Sequence, residues 1–172
     1  GPGDDTFTNN QSGVDSYFVG QSGNDVYRAG TDSYTVIHET GNSPNDQYFD
    51  IPSYPAPSVT VAELEGRHLA VVADSGDGAI VIVDWEKPEN RIETFNIVDP
   101  NSGVRELGFS RFKDLITSSE EYVGDVSLDQ LPISGSRAQQ IRDTIETVKQ
   151  SAQNDPVQGS HSGDTLIGGL AK

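Results

Sequence analysis

One short pattern, Gly-x-Asp-x-aromatic, governs the first third of the chain. It reads Gly3-Asp4-Asp5-Thr6-Phe7, Gly13-Val14-Asp15-Ser16-Tyr17, Gly23-Asn24-Asp25-Val26-Tyr27 and Gly30-Thr31-Asp32-Ser33-Tyr34. The copies lie ten, ten and seven residues apart. Pro44-Asn45-Asp46-Gln47-Tyr48 is a weaker copy without the Gly, and Ser162-Gly163-Asp164-Thr165-Leu166 repeats the theme with an aliphatic residue. Units this short cannot bury an apolar face alone and become stable only when stacked on their neighbours. The pattern therefore restricts this part of the chain to short strands separated by tight turns. Gly permits the φ > 0 turn and lets a carbonyl point at an ion. Asp supplies a hard oxygen, and the x-aromatic step starts a strand whose large side chain faces inward. Stacked turns would bring the carboxylates of Asp5, Asp15, Asp25, Asp32 and Asp164 together with the carbonyls of Gly3, Gly13, Gly23 and Gly30. Oxygen-only sites with six to eight ligands suit Ca²⁺ better than Mg²⁺, which keeps its waters.

The charge balance points the same way. With 27 acidic and 11 basic residues, the formal net charge of the 172-residue chain is −16. A surface of that sign excludes nucleic acid as a partner and disfavours anionic membranes. Leu, Ile, Val and Phe make up 41 residues, about 24%, just above the composition at which chains fail to fold. A folded state with this much like charge repels itself, and a bound cation relieves it. No apolar run is long enough to span a bilayer. The absence of Cys removes disulfides, zinc-thiolate sites and thiol chemistry. Met is absent as well, even at position 1, as expected of a fragment, a processed product or a tagged chain.

The repeats resemble the RTX, or haemolysin-type, calcium-binding nonapeptide, Gly-Gly-x-Gly-x-Asp-x-(large apolar)-x, which forms a parallel β-roll. Spacings of ten and seven stand here for nine, and the first Gly of the pair is usually missing. The stretch from about 13 to 103 also resembles the haemolysin-type calcium-binding related domain that follows such repeats. The residues carrying this likeness are Leu69 to Val72, Gly76 to Gly78, Ile80 to Trp85, and Arg91-Ile92-Glu93-Thr94-Phe95. The resemblance implies a Ca²⁺-binding module of a secreted protein, exported unfolded by a type I system and folding outside. It also implies neighbouring repeats of a parent chain as partners.

The remaining elements follow from local pattern. Residues 59–64 and 69–73 read as strands, and Asp74 to Gly78 as a turn into a strand at 79–83. Arg91 to Val98 reads as a further strand, ended by Asp99-Pro100-Asn101. The Pro-rich 51–57 reads as a linker or edge. Phe109 to Ile116 has helical periodicity, and Ser134-Gly135-Ser136 offers caps for a helix over about 137–153, stopped at Asn154-Asp155-Pro156. Its stripe of Ala138, Ile141, Ile145 and Val148 is expected to pack on the β region, with Arg142 and Glu146 paired on the polar side. Trp85 reads as a core aromatic, and Asp74 and Asp77 as a solvated turn.

The expected architecture is mainly β: RTX-like β-roll turns leading into a small antiparallel β region, with one or two C-terminal helices. Its parts are calcium-binding repeats at 1–58, a β segment at 59–108, a helical segment at 109–158 and the start of a further repeat at 159–172. No catalytic constellation is evident. His38, His68 and His161 share no ligand spacing, and Gly159-Ser160-His161-Ser162-Gly163 has His where a nucleophile elbow needs Ser. Two other classes of function stay open: a structural or adhesive spacer presenting Tyr17, Tyr27, Tyr34, Tyr48 and Tyr54 to a glycan or protein, and an accessory domain of a secreted hydrolase.

Overall fold

The repeat residues form strands, and successive strands go to different sheets. The computed structural model describes residues 2–9, 11, 13–41, 43, 45–52, 59–99 and 103–158. The proposed repeat at 159–172 with Asp164, residues 53–58 of the Pro-rich stretch with Tyr54, and the turn at 100–102 lie outside the described residues. Strands β1 (Thr6–Asn9), β3 (Val26–Ala29) and β5 (Gln47–Pro52) enter one sheet, while β2 (Ser16–Gly20) and β4 (Tyr34–Glu39) enter the other. Pairing within each set is parallel: Phe7 lies beside Tyr27, and Tyr27 beside Tyr48. Stacking neighbours are therefore about twenty residues apart, and each winding takes one strand in each sheet.

The chain then departs from this rhythm. Strands β6 (Val59–Leu64) and β7 (His68–Ala73) form an antiparallel hairpin, and β8 (Ala79–Ile82) pairs antiparallel with β7 and parallel with β4. Strand β9 (Thr94–Asp99) returns to the first sheet, parallel to β5. It begins at Thr94, not Arg91, because Pro88–Asn90 makes a 3₁₀ turn first. The hairpin is thus spliced between two windings of one stack. Strand β10 (Gly103–Gly108) closes the first sheet antiparallel to β9, and β11 (Tyr122–Val126) adds parallel to β6 at the far edge of the second. The orders are β1-β3-β5-β9-β10 and β11-β6-β7-β8-β4-β2, two open mixed sheets.

Helix α1 (Phe109–Thr117) forms where its periodicity places it, with Phe112 and Ile116 buried. Helix α2 (Gly135–Gln158) starts at the expected cap: the Ser134 hydroxyl accepts the Arg137 N–H at 3.3 Å, and its carbonyl accepts that of Ala138 at 2.8 Å. It runs through Pro156 to Gln158, beyond the expected stop. No described helix is long and apolar enough to cross a membrane.

Two cores result. Between the sheets lie Tyr27, Tyr48, Phe95, Trp85, Ile37, Ile80, Leu69 and Phe112. Their rings stack in file, Phe7 on Tyr27 at 5.3 Å, Tyr48 on Phe95 at 6.2 Å and Phe95 on Phe112 at 3.9 Å. Such pairs add about 0.5–1.5 kcal/mol each beyond the area they bury. The outer face of the second sheet packs Tyr34, Val36, Val72 and Val81 against Ala138, Ile141, Ile145 and Val148 of α2. Buried on both faces, β4 is buried at every residue, as expected of a covered parallel strand. Arg142 pairs with Asp129 at 2.8 Å rather than with Glu146, because the neighbouring turn brings that acid closer.

Candidate functional site

Parallel winding sets equivalent residues of successive turns above one another. Asp5, Asp25, Asp46 and Glu93 each stand just before a strand of the first sheet. The Asp5 N–H donates to Asp25 Oδ1 at 2.9 Å, the Asp25 N–H to Asp46 Oδ1 at 2.8 Å, and the Asp46 N–H to Glu93 Oε2 at 3.0 Å. Backbone bonds continue the same column: Val26 N–H to the Asp5 carbonyl and Gln47 N–H to the Asp25 carbonyl, at 2.9 and 2.8 Å. The carboxylates of Asp25, Asp46 and Glu93 thus each accept the N–H of the preceding turn. Gly23 allows this close stacking. Its φ is +124°, and a Cβ there would lie 2.2 Å from the Gly3 carbonyl oxygen.

The start of the second sheet is different. Ser16 pairs with Thr35 and Tyr17 with Val36, so Tyr17 and Tyr34 are not equivalent although the motif aligns them. A complete winding needs nineteen residues here, and the motif copies are only seventeen apart, so the copy at 30–34 is out of step. Gly3, Gly13 and Gly23 take positive φ, whereas Gly30 does not. Asp15 and Asp32 are exposed. Asp15 forms an ion pair with Arg137 of α2, whose guanidinium lies 4.6 Å over the Tyr34 ring.

The two sheets run in opposite chain directions, so the ends of second-sheet strands meet the starts of first-sheet strands. Glu39, the last residue of β4, thereby reaches Asp25 and Asp46. One oxygen from each of the three lies within 4.8 Å of the other two, and all three residues are fully buried. Tyr27 Oη donates to Glu39 Oε1 at 2.5 Å. Asp25 Oδ2, Glu39 Oε2 and Asp46 Oδ2 are buried without a hydrogen-bond donor among the described residues. Gly20, at the end of β2, walls the cluster. A Cβ there would lie 1.9 Å from Tyr27 Oη, 2.5 Å from Glu39 Oε1 and 2.7 Å from Asp25 Oδ2.

Loss of water dominates the electrostatics. Burial raises Asp25 to about 6, offset in part by the Asp5 N–H. Burial, with the charges of Glu93 and Asp25, raises Asp46 to about 7. Burial, with the charges of Asp46 and Asp25, raises Glu39 to about 10. Three desolvated carboxyls this close cannot all ionise unless countercharge joins them.

Of the residues the sequence nominates, the structure brings Asp25 into this cluster and Asp5 to the adjacent rung. Asp15 and Asp32 lie with Gly13 and Gly30 at the opposite ends of the strands. Asp74 and Asp77 are exposed in their turn, with Asp74 accepting the Thr60 hydroxyl at 2.6 Å. Glu39 and Glu93 are not foreseen by the motif reading, although Glu93-Thr94-Phe95 repeats the acid-x-aromatic step. Tyr27, Tyr34 and Tyr48 are buried, so they do not form a ligand face. Trp85 is 1% exposed and donates to Glu63 Oε2 at 3.2 Å, as a core aromatic with a polar handle. No protein-family model matches the chain, and neither does any curated protein.

Proposed function

We propose that the chain is a calcium-stabilised structural module of a secreted protein of the RTX kind, wound as an open β-roll. The observation that carries this reading is the column of acids Asp5, Asp25, Asp46 and Glu93 along one rim of the first sheet. Neighbouring parallel strands lie about 4.8 Å apart. At that spacing a file of carboxylates in a chain of net charge −16 opposes its own winding. A divalent cation reverses the sign of that contribution. Since a partly wound chain gathers these oxygens poorly, binding free energy becomes folding free energy. Where Ca²⁺ is scarce the stack is weakened, as suits export in an unfolded state. Where Ca²⁺ is millimolar the turns close and the β6–β8 region docks on them.

Circular dichroism and thermal melting in EDTA and then in millimolar Ca²⁺ test the reading. Ligand at a hundred times its Kd adds about 2.7 kcal/mol. For a chain of this length that raises Tm by about 5–10 °C. A melting curve indifferent to Ca²⁺ refutes it.

A further inference from the structure

We infer that Asp25, Glu39 and Asp46 form an internal Ca²⁺ site that clamps the two sheets together. This locates the ion inside the stack, away from the turns at 13–15 and 30–32, and it rests on the calcium reading above. Each acid is fully buried, and each has one oxygen that meets no N–H or hydroxyl donor of another residue type among the described residues; Glu39 and Asp46 can satisfy each other only through a shared proton, which a cation would replace. The opposite oxygens are already fixed: Asp25 Oδ1 by the Asp5 N–H, Asp46 Oδ1 by the Asp25 N–H, and Glu39 Oε1 by the Tyr27 hydroxyl. Each carboxylate is thereby held in orientation with its second oxygen left for a ligand. Donors that bond the far oxygen of a ligating carboxylate hold and orient it towards the metal.

Size and donor type choose the ion. Oxygens no more than 4.8 Å apart surround a point at most about 2.8 Å from each. Small inward shifts give the 2.3–2.6 Å of Ca²⁺, whereas Mg²⁺ demands about 2.0–2.1 Å and retained waters. The donor set has no imidazole or thiolate to favour zinc or copper. Gly20 keeps the space open, since any side chain there would collide with Tyr27 Oη and Glu39. The ligands come from three consecutive segments, before β3, at the end of β4 and before β5. The ion therefore enters as that winding closes.

Calorimetric titration of the whole chain with Ca²⁺ at pH 7.5 tests the site, with Glu39→Gln and Asp46→Asn against an Asp15→Asn/Asp32→Asn control. Glu39→Gln keeps an acceptor for Tyr27 and stands in for the neutral, protonated carboxyl of the ion-free site, so it folds in EDTA. Each site variant should lose one Ca²⁺ per chain, or at least tenfold in affinity, while the control stays within twofold. Tb³⁺ supplies a second readout on the native core: tyrosine-sensitised emission should appear with wild type and fall by more than half in Tyr27→Phe. If wild type binds Ca²⁺ and both site variants bind it equally well, the internal site is refuted and the calcium reading stands. If wild type takes up no Ca²⁺ and its melt ignores the ion, both fail. Emission indifferent to Tyr27→Phe also places the ion elsewhere.

Discussion

Raising the pH from 7 to 9 in the absence of divalent cations should destabilise this protein, although ordinary surface carboxylates and lysines do not titrate there. Asp25, Asp46 and Glu39 have folded pKa values near 6, 7 and 10, all raised by burial. Unfolded, they titrate near 4. The folded chain therefore binds more protons than the unfolded one, and stability falls as pH rises through the folded values. Burial lowers His68 to about 4 and also lowers His38. Those groups give the opposite slope, but only between the folded value and about 6.5. By about pH 8 the histidines are silent and the acids dominate. At pH 7 the cluster retains about 1.6 protons and at pH 8 about one. The expected slope is roughly 2, then 1.5 kcal/mol per pH unit, or about 3 kcal/mol between pH 7 and 9. That is a large share of the 5–15 kcal/mol that holds a domain together. Urea unfolding in EDTA at half-unit steps of pH measures it directly. With saturating Ca²⁺ the carboxyls are already ionised, and the slope should vanish. A flat stability profile from pH 7 to 9 in EDTA would show that the three acids hold no protons, and the reasoning from burial would be wrong.

Other perturbations follow from the same geometry. Gly20→Ala places a methyl 1.9 Å from Tyr27 Oη and should cost about 1–3 kcal/mol as overpacking, read as a lowered urea midpoint. Phe95→Ala removes the ring between Tyr48 and Phe112 and should cost about 3–5 kcal/mol, again by urea unfolding. Arg137→Ala removes an exposed ion pair with Asp15 and a ring contact with Tyr34. It should cost no more than about 1–2 kcal/mol and leave Ca²⁺ binding unchanged by calorimetry. His68→Gln removes the buried imidazole that accepts the Asp84 N–H at 2.9 Å. Whatever its effect at pH 7, its stability relative to wild type should rise as pH falls from 6.5 to 4, because the unfolded chain no longer gains a proton that the buried imidazole refuses, measured by urea unfolding of both proteins in EDTA.

Much of the fold was legible because local chemistry and packing agree. The Asp74–Gly78 turn joins two apolar runs that do pair, and the stripe of Ala138, Ile141, Ile145 and Val148 does cover a sheet. Register was less legible. Gly30-Thr31-Asp32-Ser33-Tyr34 has the letters of a repeat, but pairing in β2 and β4 is set by which residues bury together. Phe18 and Ile37 face the space between the sheets, and Tyr17, Tyr34 and Val36 face α2. A two-residue displacement keeps every side chain on its face, since strands have a period of two. Motif spacing cannot detect such a shift.

The acid cluster shows a sharper limit. Asp25 and Asp46 come from motif copies, so their stacking follows from the repeat. Glu39 belongs to no copy. It closes Tyr-Thr-Val-Ile-His-Glu, a strand buried from end to end, and a carboxyl in such a run is the one local sign that a partner waits beyond it. Its partners lie on the other sheet, and only the opposed chain directions of the two sheets bring them together. The repeat explains why acids recur along a rim. The meeting of second-sheet strand ends with first-sheet strand starts explains why three of them gather in a buried space, where their demand for a proton or a cation is strongest.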